Sequence, residues 1–307
     1  MSFASIVKNE VSKLELTKIE SIALLSSIIR NSEKTEELIR ITTENSSLAR
    51  TLFKELKELY GVISKITVRK GYNYNKNYIY ILEINNNIKD ILNSLGLYDK
   101  KVLNIPKNYI VDDEDSIRAY LRGLFLINGS INDPKKSRYH LEFIVNNEEY
   151  ACFIVEILNK FFLNSKYIKR DNKYMVYVKE AEKIGDFLRI INACNAVLYY
   201  EDIRIYRDHK NMTNRLNNCE QANVDKIVMS ASKQVNDIEK IKQECGLDVL
   251  DEKVRIVAEY RLKYKEASLL ELSEIISIET GTPITKSGVN HRMKKIEEIA
   301  SRIKKDC

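Results

Sequence analysis

Apolar residues occupy nearly every side of the stretch Tyr120-Leu121-Arg122-Gly123-Leu124-Phe125-Leu126-Ile127-Asn128-Gly129-Ser130. A pattern apolar all round predicts the end of a buried helix, and Gly123 removes a side chain where a second helix can come very close. Gly129 is expected to supply the backbone freedom that ends this helix. At a spacing of 96 positions upstream, Leu25-Ser26-Ser27-Ile28-Ile29-Arg30-Asn31-Ser32-Glu33 has small residues where the later stretch has Arg122 and Gly123. Two buried helices with small residues at matching points predict a pair packed about a pseudo-twofold axis.

The order of elements after each helix also recurs. Residues 37–43 read as extended, 46–59 as an amphipathic helix, 64–70 and 77–84 as strands, and 88–95 as a short helix. After the second copy, 138–145 read as extended, 148–162 as helical, 165–170 and 173–179 as a hairpin about Asp171-Asn172, and 181–191 as helical. A unit this long occurring twice predicts a duplicated domain rather than a solenoid. The repeats span about 1–98 and 99–198.

In 64–70, Ile66 and Val68 alternate with Lys65, Thr67 and Arg69, so one face is expected to be apolar and the other polar and basic. The second copy offers Lys166, Lys169, Arg170, Lys173 and Lys179 among Tyr167, Tyr174 and Tyr177. Such faces suit nucleic acid, with Lys and Arg meeting phosphates, but solvated sheet faces also look like this. The pattern leaves both open.

Residues 199–247 form an Asn-rich polar linker in which Val224, Ile227, Val228, Ala231, Val235, Ile238 and Ile241 have helical spacing, predicting a connecting helix over 223–241. From 248 to 307 an all-α module is expected. An amphipathic helix covers 252–264, and a second covers 268–276, opened by the capping box Ser268-Leu269-Leu270-Glu271. A loop over 277–285 is expected, longer than that of a tight helix-turn-helix. A third helix from about Ser287 to Lys304 packs Val289, Met293, Ile296, Ala300 and Ile303 inward. Its opposite face presents Ser287, Asn290, His291 and Lys294, flanked by Arg292 and Lys295, with Lys286 just before it. These residue types read base edges and hold phosphates in a major groove. The bland alternative is a three-helix protein-contact module with solvated cations.

Composition narrows the classes. The 307 residues are 44% apolar, enough for two or three domains, and no run approaches the roughly 18 apolar residues that span a bilayer. The N-terminus has no apolar core of signal-peptide type, so a cytoplasmic protein is expected. Five cysteines without a C-x-x-C pair and three scattered histidines support neither a disulfide framework nor a zinc site, and no cofactor is expected. Net charge is +6, but 286–305 alone holds seven basic residues against two acidic ones. Basicity is concentrated on the last helix.

The two motif stretches and the repeat behind them resemble the LAGLIDADG homing-endonuclease fold, whose motif forms two central helices beneath strand saddles that lie over DNA. The chain as a whole is similar to the WhiA family of Gram-positive sporulation and cell-division regulators, which join a degenerate LAGLIDADG domain to a C-terminal helix-turn-helix. The opening Ser2-Phe3-Ala4-Ser5-Ile6-Val7-Lys8-Asn9-Glu10, the run Asn214-Arg215-Leu216-Asn217-Asn218-Cys219-Glu220-Gln221-Ala222-Asn223 and the terminal Lys286-Ser287-Gly288-Val289-Asn290-His291-Arg292 carry that resemblance end to end. The implied fold is α+β: a duplicated LAGLIDADG-like domain followed by an all-α helix-turn-helix domain.

In active LAGLIDADG members the eighth motif residue is an acid, and the two acids together hold Mg²⁺ ions. The matching positions here are Ser32 and Asn128, which offer no anionic oxygen. Glu33 lies next door but points away unless its helix ends early, because one residue turns a helix by about 100°. The resemblance therefore implies a non-enzymatic, sequence-specific binder of double-stranded DNA, nucleoid-associated, acting in cell division, chromosome segregation or sporulation. Ser268, Lys286, Ser287, Asn290, His291, Arg292, Lys294 and Lys295 are the expected DNA contacts, with secondary contacts from Lys65, Arg69, Lys166, Lys169, Arg170 and Lys173. Another transcription factor or a division protein is a further expected partner, and no membrane is. The alternatives are an active homing endonuclease or RNA maturase, and a protein-interaction scaffold in cell division.

Overall fold

The computed structural model describes residues 2–35, 37–70, 78–136 and 138–303. They divide into two units, Met1–Arg207 and Asp208–Cys307. The first unit runs α1 (Phe3–Val11), α2 (Lys18–Arg30), β1 (Glu33–Lys34), β2 (Ile39–Thr43), α3 (Ser46–Tyr60), β3 (Lys65–Lys70), β4 (Tyr78–Ile84) and α4 (Ile88–Ser94). A small hairpin of β5 (Tyr98–Asp99) and β6 (Lys101–Val102) leads to α5 (Glu114–Asn128), β7 (Gly129–Ile131), β8 (Leu141–Val145), α6 (Glu148–Asn159), β9 (Lys166–Arg170), β10 (Lys173–Val178) and α7 (Ala181–Ile190). The helix α8 (Cys194–Glu244) begins here. Asn77, assigned to a strand from sequence, lies outside the described residues.

The duplication is explicit in the sheets, which are ordered β1-β2-β4-β3 and β7-β8-β10-β9 with every pairing antiparallel. Between them α2 and α5 pack with Leu25, Ile28, Ile29, Tyr120, Leu121, Leu124 and Phe125 fully buried. Gly123 permits that approach, since a Cβ there would stand 2.6 Å from the Leu24 carbonyl oxygen and 3.1 Å from Ser27 Cβ. Each helix is also tied to the end of its own repeat. Ser26 Oγ donates to the Leu95 carbonyl at 2.8 Å, and Arg122 Nε donates to the Ile191 carbonyl at 3.3 Å. Both pairs keep the spacing of 96.

Three expectations are corrected. Gly129 is extended (φ −79°, ψ 143°), a conformation any residue adopts. Its need is for space, because a Cβ would lie 2.3 Å from Phe125 Cδ2. Ile66 and Val68 do share one face, opposite Leu82 and Tyr80, and both are exposed, since β3 is the outer strand of its sheet. The helix expected over 148–162 stops at Asn159, because Phe162 (φ 57°) and Asn164 (φ 52°) take left-handed conformations that a helix cannot continue through. The connecting helix expected over 223–241 is part of the much longer α8, which also takes in the Asn-rich residues before 223.

The second unit sets the end of α8 with α9 (Glu252–Lys263), α10 (Leu269–Thr280) and α11 (Lys286–Arg302). Ile238, Ile241, Val254, Val257, Leu272, Ile276, Val289, Met293 and Ile296 make one buried cluster. Arg261 is buried beneath the α9–α10 connection and donates to the Ala267 carbonyl at 2.5 Å. Lys304, expected to end the last helix, lies outside the described residues.

Candidate nucleic-acid interface

The helix α10 opens with the capping box read from sequence: Ser268 Oγ accepts from the Glu271 N–H at 3.2 Å, and the Ser268 N–H donates to Glu271 Oε2 at 2.7 Å. Those bonds hold the Glu271 carboxyl below its ordinary range. The helix runs four residues further than its apolar period, to Thr280. Ser277 Oγ donates to the Ser273 carbonyl (2.7 Å) and accepts from the Ile284 N–H (2.9 Å), and Gly281 (φ 68°) then takes the left-handed cap. The link to α11 is therefore residues 281–285, not the long loop expected over 277–285.

Thr285 caps α11, its Oγ1 accepting from the Gly288 N–H at 3.2 Å, so the helix starts at Lys286. Val289, Met293, Ile296 and Ala300 are buried. Lys286, Ser287, Asn290, His291, Lys294 and Lys295 are all exposed, and Arg292 is half-buried beside them. One helix end therefore presents an amide, a hydroxyl, an imidazole and several cations with a rigid apolar backing. The N-terminal turn adds its own positive dipole.

The strand cations divide by register. Lys65 opposite Glu83 and Arg69 opposite Ile79 share the face of the first sheet that bears Arg40. Arg40 is already neutralised there, 2.9 Å from Glu83 and 3.6 Å from Glu33. In the second sheet, Lys166 opposite Tyr177 and Arg170 opposite Lys173 lie on the face carrying Glu142, the counterpart of Arg40. Lys169, opposite Tyr174, lies on the other face, where Tyr174 and Tyr167 donate to Glu148 at 3.1 Å each. Lys179, 4.5 Å from the Tyr177 ring centroid, adds a further cation to the second surface, where His140 lies 3.0 Å from Glu142.

At the ends of the central helices α2 terminates at Arg30, so Glu33 sits in β1, exposed and paired with Arg40. The Ser32 hydroxyl turns back to donate to the Ile28 carbonyl at 2.8 Å. Asn128 instead donates to Asn31 Oδ1 (2.8 Å), and Asn31 Nδ2 donates to Tyr150 OH (3.0 Å), which is hydrogen-bonded to Tyr120 OH (2.9 Å). Burial pushes both phenols above their ordinary range, so this network is neutral. Amides, a back-bonded hydroxyl and neutral phenols do not fit a hard divalent cation, which takes carboxylate and water oxygens. The sequence pattern missed Asn31 and Tyr150, because motif counting pairs 128 with 32 while the early end of α2 shifts the partner by one.

Comparison with known proteins agrees with this architecture. Family models match in chain order: the WhiA N-terminal LAGLIDADG-like domain at 15–98, the WhiA LAGLIDADG-like domain at 117–210 and the WhiA C-terminal HTH domain at 213–300. A probable cell division protein WhiA of Clostridium botulinum is 43% identical over 318 residues, covering 99% of each chain. A Staphylococcus epidermidis protein of the same name is 42% identical, covering 99% of this chain and 98% of its own. The crystal structure of full-length WhiA from T. maritima aligns at TM-score 0.58 and 27% identity, covering 98% of this chain and 99% of that one. No helix among the described residues is long and apolar enough to cross a membrane. With its duplicated LAGLIDADG-like domain, its neutral residues at the motif ends and its C-terminal helix-turn-helix, the chain belongs to the WhiA family.

Proposed function

We propose that this protein is a sequence-specific DNA-binding regulator acting in cell division or its developmental control, without nuclease activity. The observation that carries the reading is the exposed start of α11, where Lys286, Ser287, Asn290, His291, Lys294 and Lys295 stand over a buried Val289-Met293-Ile296 backing. Asn290 reads a base edge; Lys294, Lys295 and Arg292 hold phosphates, and Ser268 at the start of α10 is a further contact. The cell-division role rests on the names that the relatives bear. Phosphate contacts from the second sheet add affinity, and residues from 248 onward are the reading module.

The experiment is genome-wide mapping of occupied sites, followed by titration of the full-length protein on one such site and a scrambled one. Preference for the occupied site, lost on Asn290→Ala, is expected. Equal affinity for both DNAs would overturn the reading. Incubation with Mg²⁺ or Mn²⁺ on either DNA is expected to give no strand scission, because Asn31, Asn128 and Ser32 supply no carboxylate. Metal-dependent cleavage at a defined site would make the homing-endonuclease alternative correct.

A further inference from the structure

The helix α8 carries one stripe at helical spacing along much of its length: Ile205, His209, Met212, Leu216, Glu220, Val224, Ile227, Ala231, Val235, Ile238 and Ile241. At its C-terminal end the stripe is covered, Ala231, Val235, Ile238 and Ile241 being 0–7% exposed. Before Ala231 it is bare, with Ile205, Met212, Leu216, Val224 and Ile227 between 42% and 64% exposed. The bare part is roughly 33 Å long at 1.5 Å per residue. Apolar patches of that length on a soluble surface mark an interaction site. The helix has little intrinsic support there either. Asn211, Asn214, Asn217, Asn218 and Asn223 are poor helix formers, all exposed, and a stretch of this composition is marginal in water without a partner to pack against.

We propose that the bare stripe pairs antiparallel with the same stripe of a second copy of this chain. The two polar residues within the stripe choose the occupant and the register. His209 and Glu220 are complementary in hydrogen bonding, and in charge when the imidazole is protonated, and they lie symmetrically about the midpoint between Asn214 and Arg215. An antiparallel pair centred there sets His209 of each copy against Glu220 of the other, twice. It sets Ile205 against Val224, twice, and gathers Met212 and Leu216 of both copies in the middle. A parallel pair would instead stack Glu220 on Glu220, a like-charge contact that excludes it. The covered end of the stripe shows that its spacing suits helix packing, since Ile238 and Ile241 already pack that way within the chain. A polar pair inside an otherwise apolar seam is the usual device for fixing helix register.

Sedimentation equilibrium of the full-length protein over a wide concentration range tests this, with circular dichroism as the folding control. A monomer–dimer equilibrium is expected. Leu216→Glu is expected to shift it to monomer while leaving the helix signal of the folded chain. His209→Glu, which sets two carboxylates against each other at both crossing points, is expected to weaken dimerisation about tenfold or more, and His209→Glu with Glu220→Arg to restore it to within about threefold. A parallel pair could not be rescued in this way, because the double variant would stack like charges at both positions. A monomer at every concentration, a dimer indifferent to Leu216→Glu, or failure of the double variant to restore pairing would each overturn the proposal.

Discussion

At the scale of single residues, Asn290 and its neighbours on α11 have separable effects. The Asn290 amide can donate to and accept from one adenine edge, worth roughly 1–3 kcal/mol of discrimination. Asn290→Ala is therefore expected to lower affinity for an occupied site far more than for scrambled DNA. Replacing Lys294 or Lys295 should weaken both equally and reduce the salt slope by about one unit, as binding curves at several salt concentrations would read out. Met293, buried on the other face, is the control: Met293→Asp should unfold the module and abolish both effects. Gly123 makes a different kind of demand. The Leu24 carbonyl oxygen 2.6 Å from its would-be Cβ is backbone and cannot swing aside, so Gly123→Ala is expected to cost roughly 1–3 kcal/mol in thermal or denaturant unfolding. An unchanged midpoint would mean that α2 and α5 are not as close as they stand here.

At the scale of elements, the two sheets share one topology but not one electrostatic character. Arg40 of β2 is held between Glu33 and Glu83, whereas the second sheet offers Lys166, Arg170 and Lys173 against Glu142. If the duplicated domain touches phosphates, the second sheet should do most of it. Reversing Lys166, Arg170 and Lys173 to Glu together is expected to reduce the salt slope of DNA binding by roughly two to three units without changing site preference. The same reversal at Lys65 and Arg69 should do less. Equal losses from the two sheets, or none from either, would remove this asymmetry.

At the scale of the whole molecule, two half-buried lysines tie stability to pH. Burial lowers both Lys8 and Lys34 to about 8, from an ordinary value of 10.5, with Arg30 adding to the effect on Lys34. The Lys34 ammonium lies at the end of α2, donating to the Arg30 carbonyl at 2.7 Å. Between pH 8 and 10.5 the unfolded chain holds protons that the folded chain has released, so stability should rise with pH across that window. The penalty is fully present below pH 8 and is worth roughly 1–3 kcal/mol per lysine. Tyr120 and Tyr150, pushed up by burial, act oppositely once free phenols ionise near pH 10, so the gain should stop there. Denaturant unfolding at pH 7, 8, 9 and 9.5 would check the rise, and Lys34→Met should flatten it.

Much of this protein was legible from local pattern. Period-3.6 and period-2 runs announced the longer helices and strands of both repeats, Asp171-Asn172 the second hairpin, and Ser268 to Glu271 a helix start, because each depends on residues within a turn or two of one another; the close helix pair was legible from small residues, Ser26-Ser27 and Gly123, at matching points of the two copies. The polar chemistry of the α11 start was legible for the same reason. What the sequence could not decide was set by contacts between distant segments. That Asn31 rather than Ser32 meets Asn128 depends on where α2 stops, and that Ile66 and Val68 stay bare depends on β3 lying at a sheet edge. The neutralisation of Arg40 depends on Glu33 and Glu83 arriving from two other strands. Gly129 shows the distinction in one residue: its sequence position announced a helix end, but the Phe125 ring packed over it, not a left-handed turn, is what requires glycine.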